Sequence, residues 1–442
     1  MLSLSIRVTL TLTHSLVSNL LPHVRSRFAI ANYLAIRAMA TPTQVLKCDP
    51  ESISFSGDEP IYSDPETENA IKSAVQHLTE RRVVAFPTET VYGLGALALD
   101  VSAATKIFST KGRPSDNPLI VHISSLSMLS SLLPPSYTPS PAYKTLMRAF
   151  WPGPLTLLFP ADPSCVPPII TAGHPTVAVR MPAHRVARAL IATAGTPLAA
   201  PSANASGKPS PTRAAHVLRD LGATGRLPLL LDGGPCAVGL ESTVVDGLGE
   251  DGALRVLRPG GATVEALNAA LGGLDVRDES WRPQVLVHRR DFVLENHELN
   301  APTTPGMKYR HYAPGVPVTL LYTSTTPPPE IDGGGSMQRM GLDAFFGEVE
   351  RGTSGRLGLM AQDDSPLLAR ARCEGARWIA FSLGGSAEPA RAAQRLFEGL
   401  LSLEEQGVER IFVQEVAEER EGLAFMNRIK KAAGTSLRIL DI

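Results

Sequence analysis

Cysteine is scarce in this chain: four residues in 442, with no two spaced as C-x-x-C. This scatter excludes a disulfide framework and a cysteine-rich zinc site, and it predicts reduced thiols inside a cell. Long apolar runs are also missing, since no stretch reaches the roughly 18 residues that a membrane helix needs, so we predict no membrane partner. Neither sign of charge is in excess: the formal net charge is -1 and the pI is about 6.8, which argues against a dedicated nucleic-acid binder.

Acidic residues are absent from residues 1–48, which are otherwise rich in serine, threonine and aliphatic residues. The basic residues of this segment are Arg7, Arg25, Arg27, Arg37 and Lys47. A basic, hydroxylated and acid-free N-terminus is typical of a mitochondrial presequence, and a disordered extension is the alternative. Met39 offers a second start. We therefore expect a cytoplasmic protein with a mitochondrial form made from the first start.

Apolar runs of strand length alternate with segments of helical periodicity along the rest of the chain. The first group of expected strands covers residues 83–86, 119–123, 155–159, 177–179 and 229–231, with helices at 66–80 and 186–194. The second group covers residues 318–322, 356–360, 378–382 and 410–414. This alternation predicts an α/β fold. We place a first domain at 66–270, a linker at 271–316, where the periodicity fades, and a smaller Rossmann-like domain at 317–442.

The common nucleotide-binding and nucleophile motifs are missing. No G-x-x-x-x-G-K-[ST] loop occurs, and no Ser-His-Asp order, Cys-His order or metal-binding histidine cluster is present. Residues 93–98 match G-x-G-x-x-G/A, but the preceding strand already stops at Pro87, whereas a dinucleotide turn follows its strand directly. We therefore reject a nicotinamide or flavin site and predict no protein-held metal.

Polar loops at the ends of strands carry the remaining chemistry. The loop TKGRPSDN (110–117) brings Lys111 and Arg113 around a glycine. Similar loops are TVAVRMP (176–182), PSANASGKPS (201–210), GLESTVVD (239–246) and LRPGG (257–261). Each alone fits an ordinary solvated turn. Together they supply cations, hydroxyls and free backbone N–H groups, which suits a polyanionic ligand such as a triphosphate.

Several of these motifs, in this order, resemble one known family. They are FPTETVYGLG (86–95), KGRPSDNPLIVH (111–122), WPGPLTL (151–157), PSANASGKPSPT (201–212) and STVVD (242–246). They strongly resemble the YrdC-like threonylcarbamoyl-AMP synthase family, and TTPGMKYRHYAP (303–314) before a second α/β unit resembles its two-domain long form in a eukaryotic, fungal-like version with an N-terminal extension. GLAFMNRIKKAAG (422–434) fits the same family. The resemblance implies a twisted open-sheet catalytic domain and a smaller C-terminal α/β domain.

The resemblance also implies a reaction. The family combines L-threonine, bicarbonate or CO₂, and ATP with Mg²⁺ into threonylcarbamoyl-AMP, with release of pyrophosphate. The product then passes to a tRNA threonylcarbamoyl transferase, which modifies the adenosine beside the anticodon of tRNAs reading codons that begin with A. Weak binding of tRNA or other RNA is a further expectation.

Site residues follow from the same resemblance. The expected catalytic pair is Lys111 and Arg113. The expected ATP contacts are Lys111, Arg113, Asn117, Thr176, Ala200, Ser202, Asn204, Ser210, Arg258, Tyr309 and His311. The expected threonine contacts are Thr90, His122, Arg180, Ser202 and Ser242. Arg180 suits the amino-acid carboxylate because its planar fork can bind both oxygens. The linker residues Lys308, Tyr309, Arg310 and His311 are expected to fold over the pocket as a lid.

Two other classes of function remain open on the residues alone. A pure RNA-binding protein would use the same basic concavity, bind with strong salt dependence and need no threonine. A carbamoyl transferase acting on another acceptor would share the YrdC-like module, but the acylphosphatase or zinc-finger segments that usually accompany it are not visible in this sequence.

Overall fold

The computed structural model describes residues 42–273, 283–288, 311–323 and 338–440. These residues form two α/β units, each built around its own sheet, with a separate two-stranded hairpin beside the first. The predicted α/β class is therefore confirmed. Most of the expected presequence lies outside the described residues. None of the described helices is long and apolar enough to cross a bilayer.

The first unit contains thirteen described strands and eight described helices. The strands are β1 (Gln44–Lys47), β2 (Ile53–Ser56), β3 (Glu59–Tyr62), β4 (Val84–Phe86), β5 (Gly93–Leu97), β6 (Ile120–His122), β7 (Leu155–Pro160), β8 (Thr176–Arg180), β9 (Leu198–Ala199), β10 (Leu229–Asp232), β11 (Thr243–Asp246), β12 (Leu254–Arg258) and β13 (Val285–Val287). The helices are α1 (Pro65–Thr79), α2 (Val101–Lys111), α3 (Leu126–Ser130), α4 (Pro141–Phe150), α5 (Pro168–Thr171), α6 (Arg185–Ala194), α7 (Ala214–Asp220) and α8 (Val264–Gly272).

The first sheet is open, mixed and 11-stranded, in the order β1-β10-β4-β5-β9-β6-β8-β7-β11-β12-β13. In its central strands β6, β7 and β8, successive side chains point to opposite faces of the sheet. Val121 and Val179 belong to the main core cluster on one face. His122, Arg180 and Thr156 are direct neighbours across the three strands, so they share the other face at one level of the sheet. The sheet therefore brings three polar side chains from distant segments into one row.

The second unit is smaller. Its strands are β14 (Val318–Tyr322), β15 (Arg339–Gly341), β16 (Leu357–Ala361), β17 (Trp378–Ser382), β18 (Arg410–Gln414) and β19 (Thr435–Leu440). Its helices are α9 (Leu342–Arg351), α10 (Pro366–Cys373), α11 (Pro389–Glu405) and α12 (Glu421–Ala432). All six strands pair in parallel, in the order β15-β19-β14-β18-β16-β17. A parallel sheet interleaved with helices is the Rossmann-like arrangement that the alternating pattern predicted.

The two units are packed against each other. Val91 and Leu240 of the first unit belong to the same apolar cluster as Phe397 on α11 and Tyr312 just before β14. Charged pairs border this cluster: Arg213 lies 2.5 Å from Glu398, and Arg219 lies 2.7 Å from Glu405. The second unit therefore covers the loops of the first that follow β4 and precede β11.

The first sheet extends beyond the expected 66–270 bounds. β1, within the segment expected to be an extension, pairs in parallel with β10, and β13, within the expected linker, pairs in parallel with β12. The glycines of the dinucleotide-like pattern lie in β5, paired on both sides, and not in a phosphate-binding turn. Gly95 is required there, because a Cβ atom would stand 2.5 Å from the Phe86 ring.

Candidate active site

One cavity collects most of the predicted site residues. It holds about 730 Å³ of empty space, including the part open to solvent. Twelve predicted residues line it: Thr90, Lys111, Arg113, His122, Arg180, Ala200, Ser202, Asn204, Ser210, Ser242, Arg258 and His311. We name Lys111, Arg113, Ser202, Asn204 and Ser210 the Lys111 side, and Thr90, His122, Arg180 and Ser242 the Arg180 side.

The glycine between the two predicted catalytic cations shapes the Lys111 side. Helix α2 ends at Lys111, and Gly112 caps it with φ of 61°, in the left-handed region that favours glycine. The chain therefore turns sharply between Lys111 and Arg113, and both side chains reach the same cavity. The Gly/Pro-stiffened loop thus places two cations together.

Lys111 is buried and holds the neighbouring loop. Its Nζ donates to the backbone carbonyls of Ser202 and Asn204, and the amide of Ser206 donates back to the Lys111 carbonyl at 2.9 Å. Burial and then the nearby Arg113 charge lower the pKa of Lys111 well below its ordinary value. An anion bound beside Lys111 would reverse this shift and compete with the carbonyls for its donors.

Arg113 is held by its own loop. Its Nη2 donates to the carbonyls of Asn117 at 3.3 Å and Pro118 at 3.0 Å, while Nε is buried with no partner among the described residues. Burial lowers the pKa of Arg113 to about 10, so it stays charged near neutral pH. Within the described part of the chain, no carboxylate forms an ion pair with Lys111 or Arg113. These are the features of an anion site.

Arg180 organises the opposite side. At the end of β8, its Nε donates to the Gly153 carbonyl at 3.1 Å, Nη1 donates to Thr90 Oγ1 at 2.8 Å, and Nη2 pairs with Glu89. Glu89 also accepts from the Ala183 amide at 3.0 Å. Arg180 is 3% exposed, so this network fixes its guanidinium with little help from solvent.

His122 is neutral in this site. Burial and then the charge of Arg180 lower its pKa to about 3. Its Nδ1 lies 3.2 Å from the Ile120 carbonyl, which can only accept a hydrogen bond. The proton therefore sits on Nδ1, and Nε2 is left as an acceptor.

Ser242 links Arg258 to the Arg180 side. Arg258 Nη2 donates to the Ser242 carbonyl at 2.9 Å and to its hydroxyl at 3.2 Å. The Ser242 hydroxyl also lies 2.7 Å from Thr156 Oγ1, in the polar row of the sheet. Arg258 is thus anchored to the Arg180 side of the cavity.

The remaining predicted residues are not brought into the cavity lining. Thr176 begins β8, at the opposite end of that strand from Arg180. Asn117 is buried in the loop after α2, where its carbonyl supports Arg113. Neither lines the cavity. Tyr309, with Lys308 and Arg310 of the expected lid, lies outside the described residues.

Other residues at the site were not predicted. Thr88, Glu241 and Tyr312 line the cavity, and Glu89 supports Arg180 from behind. Glu241 accepts a hydrogen bond from Ser210 Oγ at 2.5 Å and from Nε of Arg428 on α12 at 3.1 Å. The signal that could have revealed the glutamates is charge balance, because buried arginines require counter-ions.

Metal ligands are not grouped here. The described residues include no cluster of three or more histidine, cysteine, aspartate or glutamate side chains that could hold a metal ion. Among the described residues, Glu241 is the one carboxylate that lines the cavity, and it is already bound by Ser210 and Arg428. The described residues therefore suit binding of anions by cations, hydroxyls and amides.

Known proteins are similar to this chain along most of its length. Residues 76–260 match the family described as "Telomere recombination", which covers Sua5, YciO and YrdC proteins, and residues 262–434 match the family "Threonylcarbamoyl-AMP synthase, C-terminal domain". Two solved structures of P. abyssi Sua5 superpose on 90% of this chain and 99% of their own. A variant has a TM-score of 0.70 at 33% identity, and the complex with L-threonine has 0.68 at 34%.

Curated relatives cover nearly the same span. The threonylcarbamoyl-AMP synthase of Bacillus subtilis is 42% identical over 85% of this chain and 95% of its own length. That of Schizosaccharomyces pombe is 40% identical over 83% of this chain and 89% of its own, and that of Pyrococcus abyssi is 39% identical over 82% and 94%. The resemblance predicted from the motifs is confirmed: the chain belongs to the two-domain threonylcarbamoyl-AMP synthase family.

Proposed function

We propose that the cavity binds ATP on the Lys111 side and L-threonine on the Arg180 side, and joins them through a carbamate to form threonylcarbamoyl-AMP. The observation that carries this proposal is the pair of neighbouring cations, buried Lys111 and half-buried Arg113. Neither has an ion-pair partner in the described part of the chain, and both lie in one cavity with the Arg180 network. A triphosphate supplies the missing negative charge.

The reaction needs alignment more than covalent catalysis. The threonine amine attacks CO₂, or bicarbonate with loss of water, to give a carbamate. A carbamate oxygen then attacks the α-phosphorus of ATP, so that an O–P bond forms, the α–β bridging bond breaks and pyrophosphate leaves with the electron pair. Lys111, Arg113 and Arg258 offset the repulsion between the two anions and the charge on the leaving group.

The Arg180 side suits an amino acid. Arg180 presents a fixed guanidinium for the carboxylate, with Thr90 beside it. The free Nε2 of neutral His122 can accept a hydrogen bond from the amine or hydroxyl of the substrate, and it does not add a positive charge that would repel an ammonium group.

Magnesium enters this proposal as part of the substrate, MgATP. The described residues include no group of side chains that could ligate a metal ion. The Mg²⁺ ion would therefore be held by phosphate oxygens and water, as it commonly is at nucleotide sites. We therefore assign no reaction step to a protein-bound metal.

The end of the linker forms part of the cavity wall. His311 and Tyr312 line it, and the amide of Ala313 donates to the Gly207 carbonyl at 3.0 Å, which ties the linker to the loop after β9. Because a free carbamate loses CO₂ readily, exclusion of water by this segment would favour the synthesis.

Pyrophosphate release by the purified chain from Met39 tests the proposal. With MgATP present, we expect release only when L-threonine and bicarbonate are both added. Release without them would indicate a nucleotide hydrolase or another acceptor. No release, together with salt-sensitive RNA binding, would favour the RNA-binding alternative.

A matched pair of variants tests the Lys111 side. Arg113→Ala should lose most of the pyrophosphate release, about 100-fold or more, because a charge-assisted phosphate contact is lost at the transition state. Lys106→Ala removes an exposed cation from the same helix α2 and should keep wild-type activity. Full activity in a folded Arg113→Ala protein would remove Arg113 from the phosphate site.

The cellular setting is a further part of the proposal. We place the enzyme in the cytoplasm, with a mitochondrial form from the first start, on the acid-free composition of residues 1–48. The product would pass to a tRNA threonylcarbamoyl transferase, since the adenylate is an activated acyl group that needs an acceptor. Fluorescent fusions of the full chain and of the chain from Met39 should differ in mitochondrial import.

A further inference from the structure

The segment MNRIKK (426–431) places one charged side chain of the second unit directly behind the wall of the cavity. Arg428 on α12 is fully buried. Its Nε donates to Glu241 Oε2 at 3.1 Å, and its Nη1 donates to the carbonyl of Pro259, directly after Arg258. Its guanidinium carbon lies 5.9 Å from the centre of the Tyr312 ring, which also lines the cavity.

Glu241 connects this arginine to the Lys111 side. Its other oxygen, Oε1, accepts the Ser210 hydroxyl at 2.5 Å. Burial alone would raise the pKa of Glu241, but the charges of Arg428 and Arg258 and the Ser210 hydrogen bond outweigh it, and the pKa is lowered. Glu241 is therefore a carboxylate at neutral pH, inside a cavity where a triphosphate is expected to bind.

Stability alone is a weak reason for this arrangement. A buried ion pair often contributes no more to folding than well-packed apolar residues of the same volume. Docking of the two units has other contacts, including the apolar cluster around Phe397 and the more exposed pair of Arg213 and Glu398. Arg428 Nη2 is moreover buried without a hydrogen-bond partner among the described residues, which a purely stabilising contact would avoid.

We propose that Arg428 is a positioning residue for the nucleotide. It neutralises Glu241, holds Glu241 on Ser210 and, through the Pro259 carbonyl, fixes the turn that carries Arg258. This inference rests on the proposed binding of ATP to the Lys111 side. It makes the second unit part of the charge balance of the nucleotide site, beyond its role as a cover.

Calorimetric titration of the full chain with MgATP, and separately with L-threonine, tests the inference. In Arg428→Met the Glu241 carboxylate keeps its charge without its partner, and we expect MgATP to bind about tenfold more weakly or worse. L-threonine should bind within about twofold of wild type, because the Arg180 side does not contact Arg428. The double variant Arg428→Met/Glu241→Gln should recover most of the MgATP affinity, since the uncompensated charge is gone.

Glu398→Gln is the matched control. It breaks an ion pair between the two units that lies outside the cavity, so MgATP affinity should stay within about twofold of wild type. Equal weakening in Glu398→Gln and Arg428→Met would show that loosened docking, and not the charge on Glu241, is responsible. That result would overturn the inference.

The remaining outcomes are also decisive. Unchanged MgATP binding in Arg428→Met, or equal loss of MgATP and L-threonine binding, contradicts the positioning role. If Arg428→Met does not fold, the double variant decides: MgATP affinity near wild type supports the inference, while weak affinity or a second failure to fold makes Arg428 merely structural. A wild-type chain that neither binds MgATP nor releases pyrophosphate would instead remove the proposed function itself.

Discussion

Arg180→Lys keeps the positive charge at this position but removes the planar guanidinium group, so it tests which of the two properties L-threonine binding requires. A guanidinium has five N–H donors, and the structure uses three of them, on Gly153, Thr90 and Glu89. One donor remains on each terminal nitrogen, as two-point binding of a carboxylate requires. A lysine keeps the charge on a single nitrogen, which cannot reach three anchors and a substrate together.

The expected cost follows from the lost contact. One charge-assisted hydrogen bond contributes about 1.5–3 kcal/mol, and about 1.4 kcal/mol corresponds to tenfold in a dissociation constant. We therefore expect the Kd for L-threonine to rise about 10- to 150-fold in Arg180→Lys, with MgATP affinity unchanged within about twofold.

Calorimetric titration measures both affinities, and a thermal melt shows whether the variant is folded. Arg188→Lys is the matched control: this arginine of α6 stacks 4.1 Å from the Phe55 ring centre, away from the cavity, and its change should leave L-threonine binding as in wild type. Wild-type L-threonine affinity in folded Arg180→Lys would refute the assignment of Arg180 to the substrate carboxylate.

Two further predictions concern stability. Gly95→Ala places a Cβ atom 2.5 Å from the Phe86 ring inside the core and should lower the free energy of unfolding by about 1–3 kcal/mol, whereas Gly347→Ala, in helix α9 with nothing within 4 Å, should raise it by about 0.5–1 kcal/mol. Urea unfolding measures both, and equal effects would show that the glycine of β5 is not sterically required. The pKa of His122 is lowered to about 3, so below pH 6.5 this histidine takes up a proton in the unfolded chain but not in the folded one. Its contribution to the free energy of unfolding is therefore fully present above pH 6.5 and decreases as the pH falls below that value. Between pH 7 and pH 5, His122 should lower the free energy of unfolding of the wild-type protein by about 2 kcal/mol. The decrease over the same range should be smaller by that amount in His122→Asn, and identical pH dependence in both proteins would contradict a buried neutral histidine.

Local pattern predicted the second unit closely. The strands expected at 318–322, 378–382 and 410–414 have those bounds in the structure. Strands of a parallel sheet with helices on its faces are buried on both sides, so they appear as short continuous apolar runs between polar turns. Such runs can be located from the sequence without knowledge of their partners.

The first sheet was predicted less completely because several of its strands depend on distant partners. β5 reads GLGAL, which resembles a glycine loop, and it is a strand because β4 and β9 pair with it on either side. β1 follows an acid-free segment and shows no clear alternation, yet it pairs with β10, about 185 residues away. Neither pairing leaves a signal in the local pattern.

The loops of the site were also predicted only in part from the sequence. Motif order gathered twelve residues that line one cavity, since each motif marks a loop at a strand end. Thr176, which the family resemblance assigns to ATP binding, stands at the opposite end of β8 from Arg180 and does not line this cavity. A motif gives position along the chain and not which end of a strand faces the cavity. Asn117 lies in the right loop, but its carbonyl supports Arg113 from outside the lining.

The charged residues that sequence reasoning missed have one physical property in common: they balance charge. Glu89 pairs with Arg180 inside the first unit, and Arg428 pairs with Glu241 across the two units, from 187 positions away. Lys111 and Arg113, in contrast, have no ion-pair partner in the described part of the chain. A cavity in which some arginines are paired, while two neighbouring cations have no ion-pair partner among the described residues, directs an anion to those two cations. Which cations have a carboxylate partner is decided only when the chain has folded and the second unit has docked. Motifs therefore predict which residues meet, but not which of the charged ones form ion pairs.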